Sequence, residues 1–300
     1  MALRPLICLL VLAVLVAAPA GAAVPPKPPG AAPLRFRDEV FRHIKVGNGI
    51  VYGRAPGLDG KPEDLELDLY RPRGDHLARR PAMIWVHGGG FAIGTRSHPT
   101  LRKLALGSAR RGFVSVSVDY RILAKKGCLV SDPACRQIAI ADQHDVQAAV
   151  RWLRRNAARY RIDPTRIAVG GTSVGGVLSY MVATRAGDPG DSGNPGYSSA
   201  VRCFVSIAGG YPGGLFATPG DAPGLLFHGR RDAIHPFSWS VDAARARRRA
   251  GVAVTLEPLD TQIHVGYPVF RALYDHHTAW FLFRQLGLRA LTRQTRQASR

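Results

Sequence analysis

Acidic residues are scarce in this chain of 300: 21 Asp and Glu stand against 41 Lys and Arg, a formal charge of +20 at pH 7. Such an imbalance suits nucleic acid, another anionic surface, or a plain bias of composition. Aromatics are few as well, at 8%, and no basic groove interleaved with them accompanies the charge, so nucleic acid is not expected as a partner. The arginines are scattered along helical patterns, as at Arg245, Arg247, Arg248 and Arg249. Bias on solvated helix faces is the main reading. A narrower one has charge holding the protein near anionic polymers or envelope surfaces.

Cysteine is limited to Cys8, Cys128, Cys135 and Cys203. No Cys/His spacing matches a zinc site, so no metal is expected. The apolar run Leu6 to Ala18 falls short of the ~20 residues that a spanning helix needs. It follows Arg4 and precedes the small residues Ala20-Gly21-Ala22, the pattern of a secretory signal peptide over residues 1–23. Its removal would take only Arg4 from the charged residues and leave no stable membrane span. Residues 24–34 are Pro/Ala-rich and read as a linker. The expected location is therefore secreted or periplasmic, where disulfides persist. Cys128 and Cys135 bracket a short polar segment and could pair. Cys203, inside the apolar stretch Val201 to Ile207, reads as a buried free thiol.

Hydrophobic residues make up 46% of the chain, too many for disorder. Apolar runs predict eight strands: Ile44 to Tyr52, Leu65 to Tyr70, Ala82 to Val86, Phe113 to Val118, Ile167 to Val169, Val201 to Ile207, Gly224 to Phe227 and Val252 to Leu256. In the second, Leu65, Leu67 and Leu69 alternate with Glu66, Asp68 and Tyr70, the period-2 mark of a half-buried strand. Helical spacing falls at Ile138 to Tyr160, Val174 to Thr184, Trp239 to Ala250 and Tyr267 to Leu286. Alternating strands and helices predict an α/β fold with a mostly parallel sheet covered on both faces. The first two strands form an antiparallel edge. One catalytic domain, 35–288, with a basic tail over 289–300, is the simplest division.

Gly171-Thr172-Ser173-Val174-Gly175 matches G-x-S-x-G between a strand and a helix start. That context makes Ser173 a candidate nucleophile on a sharp elbow. A phosphate cradle is the competing reading, but no Gly-Lys-Ser/Thr follows, so a P-loop is excluded. His87-Gly88-Gly89-Gly90-Phe91 directly follows the third strand. Glycines there let backbone N–H groups approach a tetrahedral oxyanion without a Cβ in the way. Gly89 and Gly90 are the candidate donors, joined by the N–H of Val174. A serine needs a base and the base an orienting acid, in chain order Ser, acid, His. His264 follows the last strand after a short loop, and Asp232 follows the Gly224 to Phe227 strand. His235 is the runner-up base and Asp260 the rival acid. His228, at the end of its strand, reads as structural, and His276 and His277 as helix-surface residues.

With these residues in view, the chain resembles the α/β-hydrolase fold, and within it the HGGG-type carboxylesterase and lipase family near the hormone-sensitive-lipase-like and feruloyl-esterase-like branches. The resemblance rests on His87 to Phe91, Val118-Asp119-Tyr120-Arg121, and Ala148, Val150, Trp152 and Leu153. It continues through Asp163-Pro164 to Gly176, His228-Gly229 to Asp232, and His264, covering Ile50 to Leu286. It implies Ser173 as nucleophile, His264 as base, Asp232 as orienter, and Tyr120-Arg121 as a structural motif beside the oxyanion loop. Two departures stand out. Val174 replaces the common Ala, narrowing the pocket slightly, and the Cys128 to Cys135 segment stands near a common Leu-Ala-Pro-Glu.

Before the first strand there is no room for a helical lid, so no substantial cap is expected. The Gly/Pro-rich stretches Gly187 to Ser199 and Gly209 to Pro223 suggest an open, loop-lined site. The expected activity is hydrolysis of short-acyl esters, small or polymer-linked, without a cofactor. An amidase or arylformamidase of the same fold, and a non-catalytic binding member, are the alternatives.

Overall fold

The computed structural model describes residues 32–214 and 217–297, with side chains to Thr292. The expected signal peptide lies outside the described residues. All eight expected strands form, most of them longer than the apolar runs. They are β1 (Ile44–Pro56), β2 (Pro62–Pro72), β3 (Arg80–Val86), β4 (Val114–Val118), β5 (Ile162–Thr172), β6 (Cys203–Ile207), β7 (Gly224–Gly229) and β8 (Val254–Leu259). One sheet holds them in the order β1-β2-β4-β3-β5-β6-β7-β8. β1 and β2 pair antiparallel, and so do β2 and β4; from β4 to β8 every pairing is parallel.

The helices are α1 (Pro99–Arg110), α2 (Pro133–Arg155), α3 (Ala157–Tyr160), α4 (Val174–Thr184), α5 (Phe237–Arg249), α6 (Tyr267–Gln285) and α7 (Leu288–Gln297). Strand β3 shows why both faces need cover. Ala82, Ile84 and Val86 point into one core with residues of α2 and α4, whereas Met83 and Trp85 point into the other with residues of α1 and α6. Every side chain of β3 is buried, the mark of a central parallel strand.

Two helices depart from the sequence reading. The spacing of Leu101, Leu104, Ala105 and Ser108 is that of one helix face, and all four are buried in α1. Pro99 opens that helix, and the Thr100 amide donates to His98 Nδ1 at 3.3 Å, a start signal that the strand-centred pattern passes over. The basic tail expected over 289–300 is helical as far as Gln297. Leu288 and Leu291 pack into the second core, and the Thr292 hydroxyl donates to the Leu288 carbonyl at 2.9 Å. The apolar positions at 288 and 291 are three apart, which the surrounding basic residues mask in composition. Among the described residues no helix is long and apolar enough to cross a membrane. Cys128 and Cys135 form a disulfide with Cα atoms 6.0 Å apart. Cys203 is a buried free cysteine, and burial pushes its thiol pKa far up.

Candidate active site

Parallel strands all end at one edge of the sheet, and in open α/β sheets ligands gather there. Here β3 runs into His87-Gly88-Gly89-Gly90, β5 into Ser173, β7 toward Asp232 and β8 toward His264. Ser173 sits between β5 and α4 at φ 55, ψ −123, a region that a non-glycine residue holds only when its surroundings force it. The surroundings are glycines. A Cβ on Gly175 would lie 2.1 Å from the Val86 carbonyl oxygen, and one on Gly171 would lie 2.3 Å from the carbonyl of Gly175. Strand and helix thus pass closer than any side chain allows, and the turn between them lifts Ser173 above the edge. Its amide donates to the Ile207 carbonyl of β6 at 2.8 Å, which fixes the elbow laterally.

His264 meets this serine from the other side. Its Nε2 lies 2.8 Å from Ser173 Oγ, and its Nδ1 lies 2.7 Å from Asp232 Oδ2. The turn that aims the ring is itself constrained. Val265 adopts φ 64, unusual for a β-branched residue. The Gly266 amide closes onto the His264 carbonyl at 2.7 Å, and the Tyr274 hydroxyl holds the Val265 carbonyl at 2.6 Å.

The Asp232 side chain is fully buried. Burial alone raises a carboxyl's pKa, but hydrogen bonds from His228, His264 and the Ile234 amide outweigh it and hold Asp232 well below the usual carboxylate range. It therefore stays ionised next to His264. Its other oxygen accepts from the Ile234 and His235 amides at 2.8 and 3.1 Å.

The competing residues fall elsewhere. His235 is buried, and its Nδ1 donates to the Ala208 carbonyl at 2.9 Å. Burial, then the neighbouring His264, pulls its pKa down to about 4, so it stands as a neutral ring packed against His264 with centroids 5.0 Å apart. Asp260 is 85% exposed and pairs with Arg231. His228 is buried beneath the acid, its Nε2 donating to the His235 carbonyl at 2.9 Å while its Nδ1 accepts from the Ser240 hydroxyl at 2.7 Å. His276 and His277 are only partly exposed, because α6 turns that face toward β8, where His277 lies 3.3 Å from Glu257.

The glycine loop passes against the elbow. A Cβ on Gly88 would stand 2.9 Å from Ser173 Cβ and 3.6 Å from its Oγ. Gly89 and Gly90 take φ 122 and 62, conformations that glycine adopts without strain. Among the described residues, the amides of Gly89, Gly90 and Val174 donate to no carbonyl or side-chain oxygen. The loop is clamped from behind. The His87 ring stacks on Tyr120 at 4.2 Å, and the Tyr120 hydroxyl donates to the His87 carbonyl at 3.3 Å. The Cys128 amide donates to the Gly90 carbonyl at 3.1 Å and the Ala124 amide to the Phe91 carbonyl at 3.2 Å. Arg121, by contrast, faces away and pairs with buried Asp145 at 2.8 Å.

These groups open onto a cleft of about 690 Å³ whose walls include Ile93, Ile234, Ile263, Tyr267 and Val269. Among the described residues no Lys, Arg, Asp or Glu lines it, in a chain with 41 basic residues. The cleft is loop-lined, but among the described residues neither Gly187 to Ser199 nor Gly209 to Pro223 borders it. Gly187 to Ser199 is drawn onto β1 and α2 instead, with Ser192 donating to Asp145 and Asn194 to the Tyr52 carbonyl, both at 2.6 Å. Nor does Val174 narrow the cleft, because its side chain is buried in the core with α2 and α4. The aliphatic walls were not foreseen. Their signal was position alone, since each lies within a few residues of Gly90, Asp232 or His264.

The BD-FAE family model matches residues 67–201, a span that holds both the glycine loop and the elbow. Carboxylesterase NlhH of Mycobacterium tuberculosis is 30% identical over 228 residues, 74% of this chain and 64% of that protein. The chain has the α/β-hydrolase fold and is similar to proteins of the carboxylesterase and lipase group. Esterase LipC of the same organism is 30% identical over 61% of this chain and 40% of its own length. The chain thus spans less than two thirds of the length of these relatives. Thermogutta terrifontis esterase 2, phosphorylated by paraoxon, shares the fold with a TM-score of 0.67 and 22% identity, covering 81% of this chain and 95% of that one. The same esterase with propionate bound superposes with a TM-score of 0.67 at 22% identity over 85% of this chain and 98% of that one.

Proposed function

We propose that this α/β-hydrolase is an exported serine carboxylic-ester hydrolase acting on neutral, short-acyl esters. One observation carries the reading: Ser173, His264 and Asp232 form an unbroken hydrogen-bonded series, at 2.8 and 2.7 Å, at the mouth of an open cleft. His264 Nε2 takes the proton of Ser173 Oγ as that oxygen attacks the ester carbonyl. Ionised Asp232 orients the imidazole and stabilises the imidazolium. The amides of Gly89, Gly90 and Val174 face the developing oxyanion, each such donor contributing about 2.7–4 kcal/mol to the barrier reduction. His264 then returns the proton to the leaving alcohol. A water molecule, deprotonated by the same ring, releases the acid and restores the serine.

The uncharged cleft walls favour neutral substrates, since an ionised acyl group there would meet no counter-charge. The short-acyl preference draws support from the propionate-bound esterase that shares the fold. Export draws support from the reading of residues 1–23 and from the Cys128–Cys135 disulfide, a bond that oxidising compartments preserve. Replacing Ser173 by Ala should lower kcat on the order of 10⁶-fold while the thermal transition stays in place, and should abolish labelling by a fluorophosphonate. Ester turnover retained in that variant refutes the assignment. A formamide or anilide cleaved faster than any acetate or butyrate ester would replace esterase with amidase. Cell fractionation with N-terminal sequencing of the mature chain tests export, and a chain retained in the cytosol with residue 1 intact removes that part.

A further inference from the structure

The N-terminal ends of the parallel strands, opposite the cleft, carry a different surface. Lys45 on β1, Arg71 and Arg73 at the end of β2, Arg159 in α3 and Arg161 just past it surround a hollow of about 430 Å³. Among the described residues none of the five has a carboxylate within ion-pair distance. Asp75, also on the hollow, is buried and already pairs with Arg35 and Arg80. The crowding is felt by buried Arg80, whose pKa is lowered first by burial and then by the charges of Arg71, Arg35 and Arg161.

Two features separate this cluster from ordinary surface arginine. The guanidinium groups of Arg71 and Arg159 lie over the Tyr160 ring, 5.6 and 5.3 Å from its centroid. Such a contact restrains a guanidinium while leaving its N–H donors free for a ligand. Arg161 caps α3 at φ 54, ψ 50, the left-handed position that glycine ordinarily fills. An arginine there keeps backbone strain that glycine would release, and such strain points to a role outside the fold. The helix end does not need the arginine side chain, because the Arg161 amide donates to the Ala158 carbonyl at 3.3 Å and Arg80 donates to the Tyr160 carbonyl at 2.7 Å.

We propose that this hollow binds a linear polyanion carrying phosphate groups, leaving the cleft on the opposite edge open to substrate. Planar guanidinium forks match phosphate oxygens two at a time. Five uncompensated cations exceed the charge of one phosphate, which calls for a ligand with several. A concave ring of cations suits a strand laid into it better than a flat bilayer, which would reach only the rim. The proposal stands independently of the ester-hydrolase reading.

The test uses the full chain and long-chain inorganic polyphosphate, with affinity measured between about 50 and 200 mM salt. The triple variant Arg71→Gln/Arg159→Gln/Arg161→Gln should bind at least about tenfold more weakly and lose about 2 from the slope of log K against log salt. The variant Arg245→Gln/Arg248→Gln/Arg249→Gln on α5 removes the same charge elsewhere and should change affinity less than about threefold. Arg161→Gly guards against misfolding: it should melt at the same or a higher temperature and still bind more weakly. Equal weakening in the two triple variants, unchanged affinity in Arg161→Gly, or inorganic phosphate binding as tightly as its polymer would each overturn the proposal. So would tighter binding to phosphatidylglycerol vesicles than to polyphosphate through the same arginines.

Discussion

Ser173 and the glycines of the His87 loop lie side by side, yet their positions have different origins. The elbow is held by contacts between residues a few places apart in the chain or on the adjoining strand. Gly171 meets Gly175, and Gly175 meets the Val86 carbonyl. The glycine loop takes positive φ at Gly89, Gly90 and Phe91 in succession, and its own turn is closed by the Ala92 and Ile93 amides on the Gly89 carbonyl, both at 3.1 Å. It is held in addition by residues 30 or more places away: the ring and hydroxyl of Tyr120, and the amides of Ala124 and Cys128. A serine fixed by its own short motif tolerates change around it. A glycine loop fixed from outside depends on whatever fixes its supports, here a disulfide that ties Cys128 to the first turn of α2 through Cys135.

The comparison breaks most severely at the elbow. In Gly175→Ala the new Cβ would lie 2.1 Å from one backbone oxygen and 2.5 Å from another, with no flexible side chain to yield. The expected cost is about 3 kcal/mol or more, beyond ordinary overpacking, and turnover should fall below detection. Thermal melting and ester hydrolysis check both. A variant that keeps wild-type kcat would mean that strand and helix can separate without moving Ser173.

The loop should respond more gently and in a different quantity. Cys128→Ser and Cys135→Ser each open the disulfide, whose partners are 7 residues apart. Chain entropy puts the stability loss at about 2 kcal/mol. The sharper readout is kinetic. If the bond positions the Cys128 amide on the Gly90 carbonyl, kcat should fall roughly tenfold through a misplaced oxyanion donor, with KM changed less than about twofold. The two variants should match each other and match the wild type after dithiothreitol, which supplies the two electrons and two protons that convert the bond to two thiols. A lowered melting temperature with unchanged kcat would make the disulfide a staple for the fold alone.

The same division explains what was legible in the sequence. Features written within a few residues could be read: the eight strands from their apolar runs, the elbow from its glycines, and Asp232 and His264 from their places after β7 and β8. Features made by distant pairs could not. Nothing in Gly187 to Ser199 says that Ser192 will bond Asp145, and nothing near Cys128 says that its amide will meet Gly90. The helix α7 was hidden for another reason: its apolar positions at Leu288 and Leu291 stand among mostly polar or basic residues. Helix α1 was legible in principle, since Leu101, Leu104, Ala105 and Ser108 share one face.

Lowering the pH sharpens the comparison by acting on the acid side of the site. His235 is buried, with its pKa drawn down to about 4, so below about pH 6.5 the unfolded chain binds a proton that the folded chain refuses. Stability therefore rises with pH between about 4 and 6.5. The loss at pH 5 relative to pH 7 should be about 2 kcal/mol. Asp232, whose pKa is depressed in the fold, adds a loss that begins as the pH falls through the ordinary carboxylate range and continues below it. His235→Asn keeps a donor for the Ala208 carbonyl without a titrating ring. Its melting temperature should change less than that of the wild type between pH 7 and pH 5. Parallel pH curves for the two proteins would remove His235 as the cause.

The smallest effect tests the loop contact from its two sides. A Cβ on Gly90 would lie 3.0 Å from Gly127 Cα, whereas a Cβ on Gly127 would meet nothing within 4 Å. Gly90 is also held at φ 62, where an L side chain is strained; Gly127 is not among the positive-φ glycines. Gly127→Ala should therefore leave kcat unchanged and stabilise the protein by about 0.5 kcal/mol, because alanine restricts the unfolded chain more than glycine does. Gly90→Ala, across the same contact, should lower kcat because the strain and the crowding both fall on the loop. Denaturant melts and ester kinetics on the pair decide it. Equal effects from the two substitutions would show that the loop and its support yield together, and that the clamp on Gly90 is softer than its hydrogen bond implies.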